Sequence, residues 1–380
     1  MATSPLAISR YFTRLRDPRR RHLRRHLLID IIVIALCAVI CGANDWQEIA
    51  TFGKRRRCWL QTFLTLPNGI PSHDTFERVF DRIAPDAFLA CFQQWVEALA
   101  HGLGLEHIAI DGKALRHSGA AAKGLRPLHV VSAWATQCHL SLGQVAVDAK
   151  SNEITAIPRL LELLDLHGAL VTIDAMGCQK EIAKKVVAGG GDYVLAVKDN
   201  QPHLLEDIQE VIGQALESNF EGYRHDLYET VERGHGREET RSYLILTEPE
   251  GIRDQELWTG LKVVGMCMRT RVVNGEQSDE THYFIGSRAM GAQGYAEVVR
   301  GHWGIENNLH WQLDIVFGED GNRVQRRNGA ENLSQLRRMA LGLLKRHPEE
   351  ESIKCKRLSA ALDTDFLEEI LLAGCNLGKG

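Results

Sequence analysis

Two strand-length apolar runs each end on an aspartate: Ile108-Ala109-Ile110-Asp111 and Val171-Thr172-Ile173-Asp174. Runs of this kind suit the centre of a sheet covered on both faces. Around them the pattern predicts strands at His107–Asp111, Pro127–Thr136 and Gly143–Ala149. Thr155–Leu166 is amphipathic, with Pro158 in its first turn and Gly168 as its stop. Strand Ala169–Ile173, helix Lys180–Val187 and strand Tyr193–Val197 follow, with Gly189-Gly190-Gly191 ending the helix. Three strands, helix, strand, helix, strand predicts an α/β sheet that is partly antiparallel. Both aspartates then lie at the sheet rim, where open α/β folds bind ligands.

The flanks have a different character. Residues 27–100 predict a small all-α domain, with helical runs at Leu27–Cys41, Trp46–Leu64, His73–Ala84 and Asp86–Leu99. Ser72 caps one of these helices, and Pro85-Asp86 opens another. Ile31–Ala43 is only thirteen residues long, with Asp30 before it, so it predicts a buried helix and no membrane span. The change to α/β falls at Gly102-Leu103-Gly104. Residues 223–288 turn β-rich, with strands at Glu229–Val231, Tyr243–Thr247, Leu261–Met268 and Thr281–Ile285. Helices are expected again at about Gly294–Val316, Gly329–Arg346 and Leu358–Leu372. The expected division is a basic arm 1–26, a helical domain 27–101 suited to DNA binding, a first core part 102–222, a β-rich insertion 223–290, a second core part 291–350 and a C-terminal helix 351–380. At 380 residues the chain exceeds one typical domain. Nine cysteines without a Cys-x-x-Cys pair suit a reducing compartment, so the expected location is the cytoplasm, with no membrane partner.

Charge is segregated. Residues 1–26 carry +7, with Arg19, Arg20, Arg21, Arg24 and Arg25 among eight arginines. Residues 323–346 carry +6, including Arg326-Arg327 and Arg337-Arg338. The whole chain is −4, so the remainder holds −17. Lys54-Arg55-Arg56-Arg57 adds a third basic cluster. Basic blocks on an acidic body point to a polyanionic partner. A solvated tail is the plainer reading of any one such run.

Three carboxylates are placed for chemistry: Asp111, Asp174 and Glu306, the last in His302-Trp303-Gly304-Ile305-Glu306-Asn307-Asn308-Leu309-His310-Trp311. Mg²⁺ prefers carboxylate oxygen and water to nitrogen or sulfur. Two such ions about 3.5–4 Å apart can activate a nucleophile and stabilise a leaving oxygen at a phosphodiester. One Asp after a strand is more often a turn residue or a helix cap. Two at strand ends plus a helix carboxylate favour metal, though spacing alone leaves the choice open. On an α-helix Ile305, Leu309 and Leu313 would mark a buried face, with His302, Glu306 and His310 in a parallel row. That row resembles a zinc set, but it is not His-Glu-x-x-His and no fourth ligand is evident, which disfavours zinc. Lys113, Lys198, Gln179 and Gln201 follow strands on the same rim and suit phosphate or base contacts, with solvation or helix capping as the alternative. Trp303 and Trp311 suit base stacking or core packing.

Several strings carry a family resemblance: Ala109-Ile110-Asp111-Gly112-Lys113, Ser151-Asn152-Glu153-Ile154, Ile173-Asp174-Ala175-Met176-Gly177-Cys178-Gln179, Gly191-Asp192-Tyr193 with Ala196-Val197-Lys198-Asp199-Asn200-Gln201, and His302-Trp303-Gly304-Ile305-Glu306-Asn307. Together they resemble the DDE transposases of bacterial insertion sequences, in the ISAs-type group that includes the H-repeat-associated proteins. The segment 27–100, with Leu36-Cys37-Ala38-Val39 and Cys41-Gly42-Ala43, resembles the domain preceding the catalytic core there. The resemblance implies an α/β fold with an RNase H-like core and a β-rich insertion between the second Asp and the Glu. It implies two Mg²⁺ ions, replaceable by Mn²⁺, on Asp111, Asp174 and Glu306. The wider superfamily places Tyr, Arg and Lys around the Glu, where this chain has Val299, His302 and Leu313. His302 therefore joins the catalytic set as an expectation, and Arg300 and Asn307 are expected on phosphate. Lys113, Gln179, Lys198, Asn200, Gln201, Arg55, Arg56, Arg326, Arg327 and the arm arginines complete the expected DNA contacts. The implied function is a transposase that binds terminal inverted repeats in double-stranded DNA, cuts with water as the first nucleophile, and joins the 3′-OH to a target. Assembly as a homodimer on DNA, associated with the nucleoid, goes with it. A non-transposing metal nuclease and a DNA-binding regulator without catalysis are the rival readings.

Overall fold

The computed structural model describes residues 5–100, 106–119, 127–147, 152–234, 236–322, 324 and 327–373. The change of character at Gly102-Leu103-Gly104 lies outside the described residues. The structure is a mixed α/β fold with one large sheet and an N-terminal helical region.

Helix α1 (Leu28–Ile40) is apolar all round, and Ile31 through Ile40 are all buried, as expected of a helix enclosed on every side. Around it lie α2 (Trp46–Arg55), the single turn α3 (Arg57–Leu60), α4 (His73–Arg82) and α5 (Pro85–Ala100). Asp45 caps α2 by accepting the Glu48 amide. Asp30 is buried, and its Oδ2 accepts the Leu66 N–H at 3.0 Å. The described part of the expected arm is not loose. A 3₁₀ turn over Pro5–Phe12 and the residues after it bury Ile8, Phe12 and Leu15 in the core, and the Phe12 ring lies 5.3 Å from that of Phe88. No described helix is long and apolar enough to cross a membrane.

The sheet starts with β1 (His107–Leu115), β2 (Leu128–Ala135) and β3 (Leu140–Ala146), which pair antiparallel in that order. Helix α6 (Glu153–Leu161) leads to β4 (Leu170–Ile173), which runs parallel to β1. Helix α7 (Lys180–Ala188) leads to β5 (Asp192–Val197), parallel to β4. Helix α8 (Pro202–Glu217) starts on a proline, which lacks only an N–H the first turn leaves unpaired. The sequence pattern predicts no element there.

The β-rich segment is longer-stranded than expected and continues the same sheet. Strands β6 (Arg224–Gly234), β7 (Arg237–Thr247), β8 (Val263–Val273) and β9 (Glu276–Gly286) form an antiparallel meander. β9 returns to pair with β5, so the nine strands are ordered β3-β2-β1-β4-β5-β9-β8-β7-β6. After it comes α9 (Ala292–His302), then two π-helical turns, Glu306–His310 and Gln312–Val316. Chain 294–316 is therefore not the one regular helix expected. Helix α10 (Arg327–Arg346) follows, and the last expected helix is two, α11 (Ile353–Leu362) and α12 (Thr364–Ala373), divided at Asp363.

Arg337 and Arg338 were expected near DNA, but α10 turns both inward and they are buried. Arg338 Nη1 donates to Glu319 Oε1 at 3.1 Å, and Nη2 to Ser132 Oγ on β2 at 3.3 Å. Arg337 Nη2 donates to the Asn44 carbonyl at 3.1 Å. A buried guanidinium needs such partners because leaving water is costly. One cluster of buried apolar side chains runs from Ile8 through the sheet to Leu371.

His107 on β1 makes a pH prediction. Its Nε2 lies 2.9 Å from Thr172 Oγ1, and burial, with the His302 charge behind it, pushes its pKa down to about 4. A ring held neutral in the fold takes a proton only on unfolding, so stability falls as pH drops from the unfolded value of about 6.5 towards 4. Between pH 7 and pH 5 this ring alone should remove about 2 kcal/mol. Urea titrations at both pH values should show a pH slope in His107→Gln smaller by about that amount. Equal slopes would show that His107 is not held neutral.

Candidate active site

The parallel register of β1 and β4 pairs Ile110 with Ile173, so Asp111 and Asp174 are the next residues on neighbouring strands. Adjacent strands lie about 4.8 Å apart, and residues in register share a face. Asp174 also opens a 3₁₀ turn, accepting the Gly177 N–H. The first π-helical turn brings Glu306 and His310 to the same rim. His310 Nδ1 lies 3.1 Å from Glu306 Oε2 and 3.3 Å from Asp111 Oδ2. One donor atom from each of Asp111, Glu306 and His310 lies within 4.8 Å of the others, a set that can hold a metal ion. Ile305, Leu309 and Leu313 are buried beneath it, as their spacing predicted.

The charges are coupled. Burial pushes the Asp111 carboxyl up, but the His310 hydrogen bond and charge, with His302 and the Gly112 amide, hold it below the usual range. The His310 hydrogen bond also lowers Glu306. Asp174 is raised by burial and by the negative charges of Asp111 and Glu153. For His310, burial opposes the charge, yet the two carboxylates raise its pKa.

A cavity of about 530 Å³ opens from these residues along the sheet, bounded on the far side by α9. Lys198, Arg241, Arg269 and Arg300 line it. Arg241 on β7 stands directly across from Arg269 on β8. Like charges in that position repel. Acids offset them: Arg241 pairs with Glu232 and Glu239, Arg269 with Glu280, and Arg300 with Glu232. Carboxylates at one end and a cationic wall beside them suit a phosphodiester.

A family model described as Transposase DDE domain matches residues 102–343. The chain belongs to that family. A second model, described as DDE_Tnp_1-associated, matches residues 9–96 of this transposase. It is 41% identical to "Putative transposase YncI" of Escherichia coli O157:H7, over 97% of this chain and 95% of that protein. It is 39% identical to "H repeat-associated putative transposase YhhI" of Escherichia coli strain K12, over 95% and 96% of the two chains. Among solved structures, a piggyBac transposase synaptic complex with hairpin DNA aligns at TM-score 0.47 and 9% identity, covering 98% of this chain and 80% of that one. The family makes this chain a DNA-cleaving and DNA-transferring enzyme that depends on metal.

Several expected contact residues of the transposase already have partners within the chain. Arg19 is buried, bonded to both Asp17 oxygens and, at 2.8 Å, to the His26 carbonyl, so it ties the N-terminal segment together and does not face DNA. Lys113 is buried on the Asp314 carboxylate and donates to the His310 carbonyl at 3.3 Å, so it braces the π-helical segment. Arg56 donates to the Ala361 carbonyl at 2.5 Å, joining the N-terminal helices to α11. Asn200 and Gln201 donate to the Ala175 and Cys178 carbonyls, and Gln179 accepts from Gln201, so all three hold the turn after Asp174. His302 Nδ1 lies 3.0 Å from Thr172 Oγ1, and it is His310, not His302, that meets Glu306. Burial keeps His302 below its usual pKa. Arg300 lines the cavity with its Glu232 partner, Lys198 and Asn307 are exposed on its wall, and Arg20, Arg21, Arg24, Arg25 and Arg55 are exposed. Arg326, the Arg327 side chain and Ser151 lie outside the described residues.

Four residues of the site escape a reading of the sequence. His310 is visible beside Glu306 but only as a zinc candidate. Arg241 and Arg269 leave no local signal, because only strand register sets them opposite. Glu153 stands in one of the family strings without a role. Its carboxylate lies 2.7 Å from His129 Nε2 and against Gly112, where an added Cβ would collide with the carboxyl group. Gly112 therefore gives Glu153 its place beside Asp111. Gly112→Ala should cost about 1–3 kcal/mol, the usual range for overpacking. Adding Glu153→Ala removes the collision and should restore much of the melting temperature. A double variant no more stable than Gly112→Ala alone would disprove this packing.

Proposed function

We propose that this transposase binds the terminal inverted repeats of an insertion sequence, cuts their strands with Mg²⁺ held by Asp111, Asp174 and Glu306, and joins the freed 3′-OH to target DNA. The observation that supports it most is the meeting of Asp111 with Asp174 through strand register and with Glu306 through the π-helical turn. We take β1–β5 with the helices between them as an RNase H-like core and β6–β9 as its β-rich insertion. An all-oxygen trio of this kind suits Mg²⁺, with Mn²⁺ as substitute. Divalent ions bound there supply positive charge to the attacking and leaving oxygens.

The chain's own residues do the rest. Asp111, beside Asp174 on the neighbouring strand and within reach of Glu306, would hold metal together with each of them. Water attacks the phosphorus, the bond to the 3′ oxygen breaks, and a 3′-OH and a 5′-phosphate result. That 3′-OH then attacks a target phosphodiester and displaces its 3′ oxygen, so no covalent protein–DNA bond forms. Lys198, Arg241, Arg269, Arg300 and Asn307 position the strand beside the cut, a role in which geometry and charge carry most of phosphoryl transfer. His302, held against Thr172, orients the end of α9 that leads into the turn carrying Glu306. Arg20, Arg21, Arg24, Arg25 and Arg55 grip flanking duplex. A homodimer on paired ends, working in the cytoplasm at the nucleoid, completes the reading.

Asp111→Asn, Asp174→Asn and Glu306→Gln should each cut terminal-repeat DNA at under about a hundredth of the wild-type rate, the scale on which removing one transition-state interaction acts. Binding to the same DNA should persist in gel-shift titrations. Wild-type cutting in any of the three would overturn the assignment, and cutting without joining would make the protein a nuclease.

The exposed arginines allow a separate test. Arg20→Gln, Arg21→Gln and Arg25→Gln together should flatten the log–log salt dependence of duplex binding by about 0.9 for each phosphate no longer neutralised. These changes leave Ile8, Phe12 and Leu15 packed, whereas deleting the segment would not. An unchanged slope would show that this surface does not touch DNA.

A further inference from the structure

We propose that His310 is a direct ligand of one active-site ion, the one shared by Asp111 and Glu306, and that this nitrogen makes the site prefer Mn²⁺ to Mg²⁺. The inference rests on the metal-dependent reading above and goes beyond its oxygen-only ligand set.

Three observations carry it. His310 is buried, with Nδ1 turned to both carboxylates, 3.1 Å from Glu306 Oε2 and 3.3 Å from Asp111 Oδ2. Neighbouring ligands of an octahedral ion held at about 2.0–2.1 Å are themselves about 3 Å apart. Both distances from Nδ1 are of that size, and all three donors lie within 4.8 Å of one another, so one ion can replace the hydrogen bonds of the ring. The backbone that carries the ring is also fixed: Lys113 donates to the His310 carbonyl and pairs with Asp314 in the next π-helical turn. Leu309 and Leu313 are buried below it.

In a regular α-helix residues i and i+4 are about 40° apart around the axis. In the π-helical turn Glu306 and His310 likewise stay on one face, within reach of Asp111. π-turns are frequent at functional sites.

Imidazole is a poor partner for Mg²⁺ and a better one for transition ions, while Mn²⁺ still accepts carboxylate and water. The site therefore combines two carboxylates and one nitrogen for one ion, with Asp174 left to bind the other ion together with Asp111.

The test is Mn²⁺ and Mg²⁺ binding to the full chain without DNA, by calorimetry, with electron spin echo spectroscopy of the Mn²⁺ form. Wild type should bind Mn²⁺ more tightly and show nitrogen hyperfine coupling. His310→Gln, which offers an amide oxygen in place of nitrogen, should lose the coupling and about tenfold or more in Mn²⁺ affinity, at least the size of an outer-shell loss, with Mg²⁺ affinity held within about threefold. Should His310→Gln not fold, His302→Gln removes the other imidazole lining the site, and coupling that persists there supports His310. Absence of coupling in wild type, its loss in His302→Gln, or an unchanged Mn²⁺-to-Mg²⁺ ratio in folded His310→Gln overturns the proposal. Asp111→Asn and Glu306→Gln separate the two levels. If neither weakens Mn²⁺ binding, the metal-site reading itself fails. If both do and His310→Gln does not, only the nitrogen ligand is refuted.

Discussion

The parallel pairing of β1 with β4 is the constraint from which the rest of the site follows. Parallel neighbours need a crossover, here the chain through β2, β3 and α6; β4 ends at Ile173 beside Ile110, while β1 runs on to Leu115, so Asp111 stands level with the residue that follows β4. One residue of slip would send Asp111 or Asp174 to the opposite face. The pairing is held by side chains that leave little choice: Ile108, Ile110, Val171 and Ile173 are buried, and Thr172 meets His107 and His302 from two elements. Burial, and then the repulsion of Asp111, push Asp174 up, while His310 holds Asp111 down. A divalent ion relieves the same repulsion.

Extending the sheet through β9 to β6 does two things at once. It covers the β5 edge, which would otherwise present unpaired backbone groups. It also builds the wall that carries Arg241 and Arg269 and reaches α9. Each arginine is balanced by a glutamate, so the wall is neutralised without DNA and has cations to offer a phosphate that displaces a carboxylate.

Helix α10 joins the two ends of the molecule. Met339, Leu343 and Leu344 bury its apolar side, and Asn332 donates to the Phe80 and Ile83 carbonyls at the C-terminal end of α4. Arg338 and Glu319 carry charge into the same core, where each is held by the other and by Ser334. This network lies under β2 and next to the segment with Lys113 and Asp314, so the floor of the site is polar and tied down on several sides.

Local sequence determined most strands and helices, Asp174 at the end of its strand and the apolar row Ile305, Leu309 and Leu313, because periodicity and strand-end position are properties of a few neighbouring residues. Asp111, expected to end its strand, instead stands in the middle of β1, which pairs with β2 as far as Leu115. The family strings carried the identification, since they name a combination that no single spacing specifies. The missed helix α8, the break after α9 and the division of the last helix were not legible, because a proline start, a widened turn and a stop at Asp363 depend on what each end packs against. The same holds for the basic residues. Arg19, Arg338 and Lys113 look like exposed cations in the chain, and only the fold set Asp17, Glu319 and Asp314 beside them. Arg241 faces Arg269, Glu153 reaches Gly112 and His310 turns to Asp111 across long stretches of sequence. Such pairs are decided by register and packing, which act through space and leave no trace in local composition.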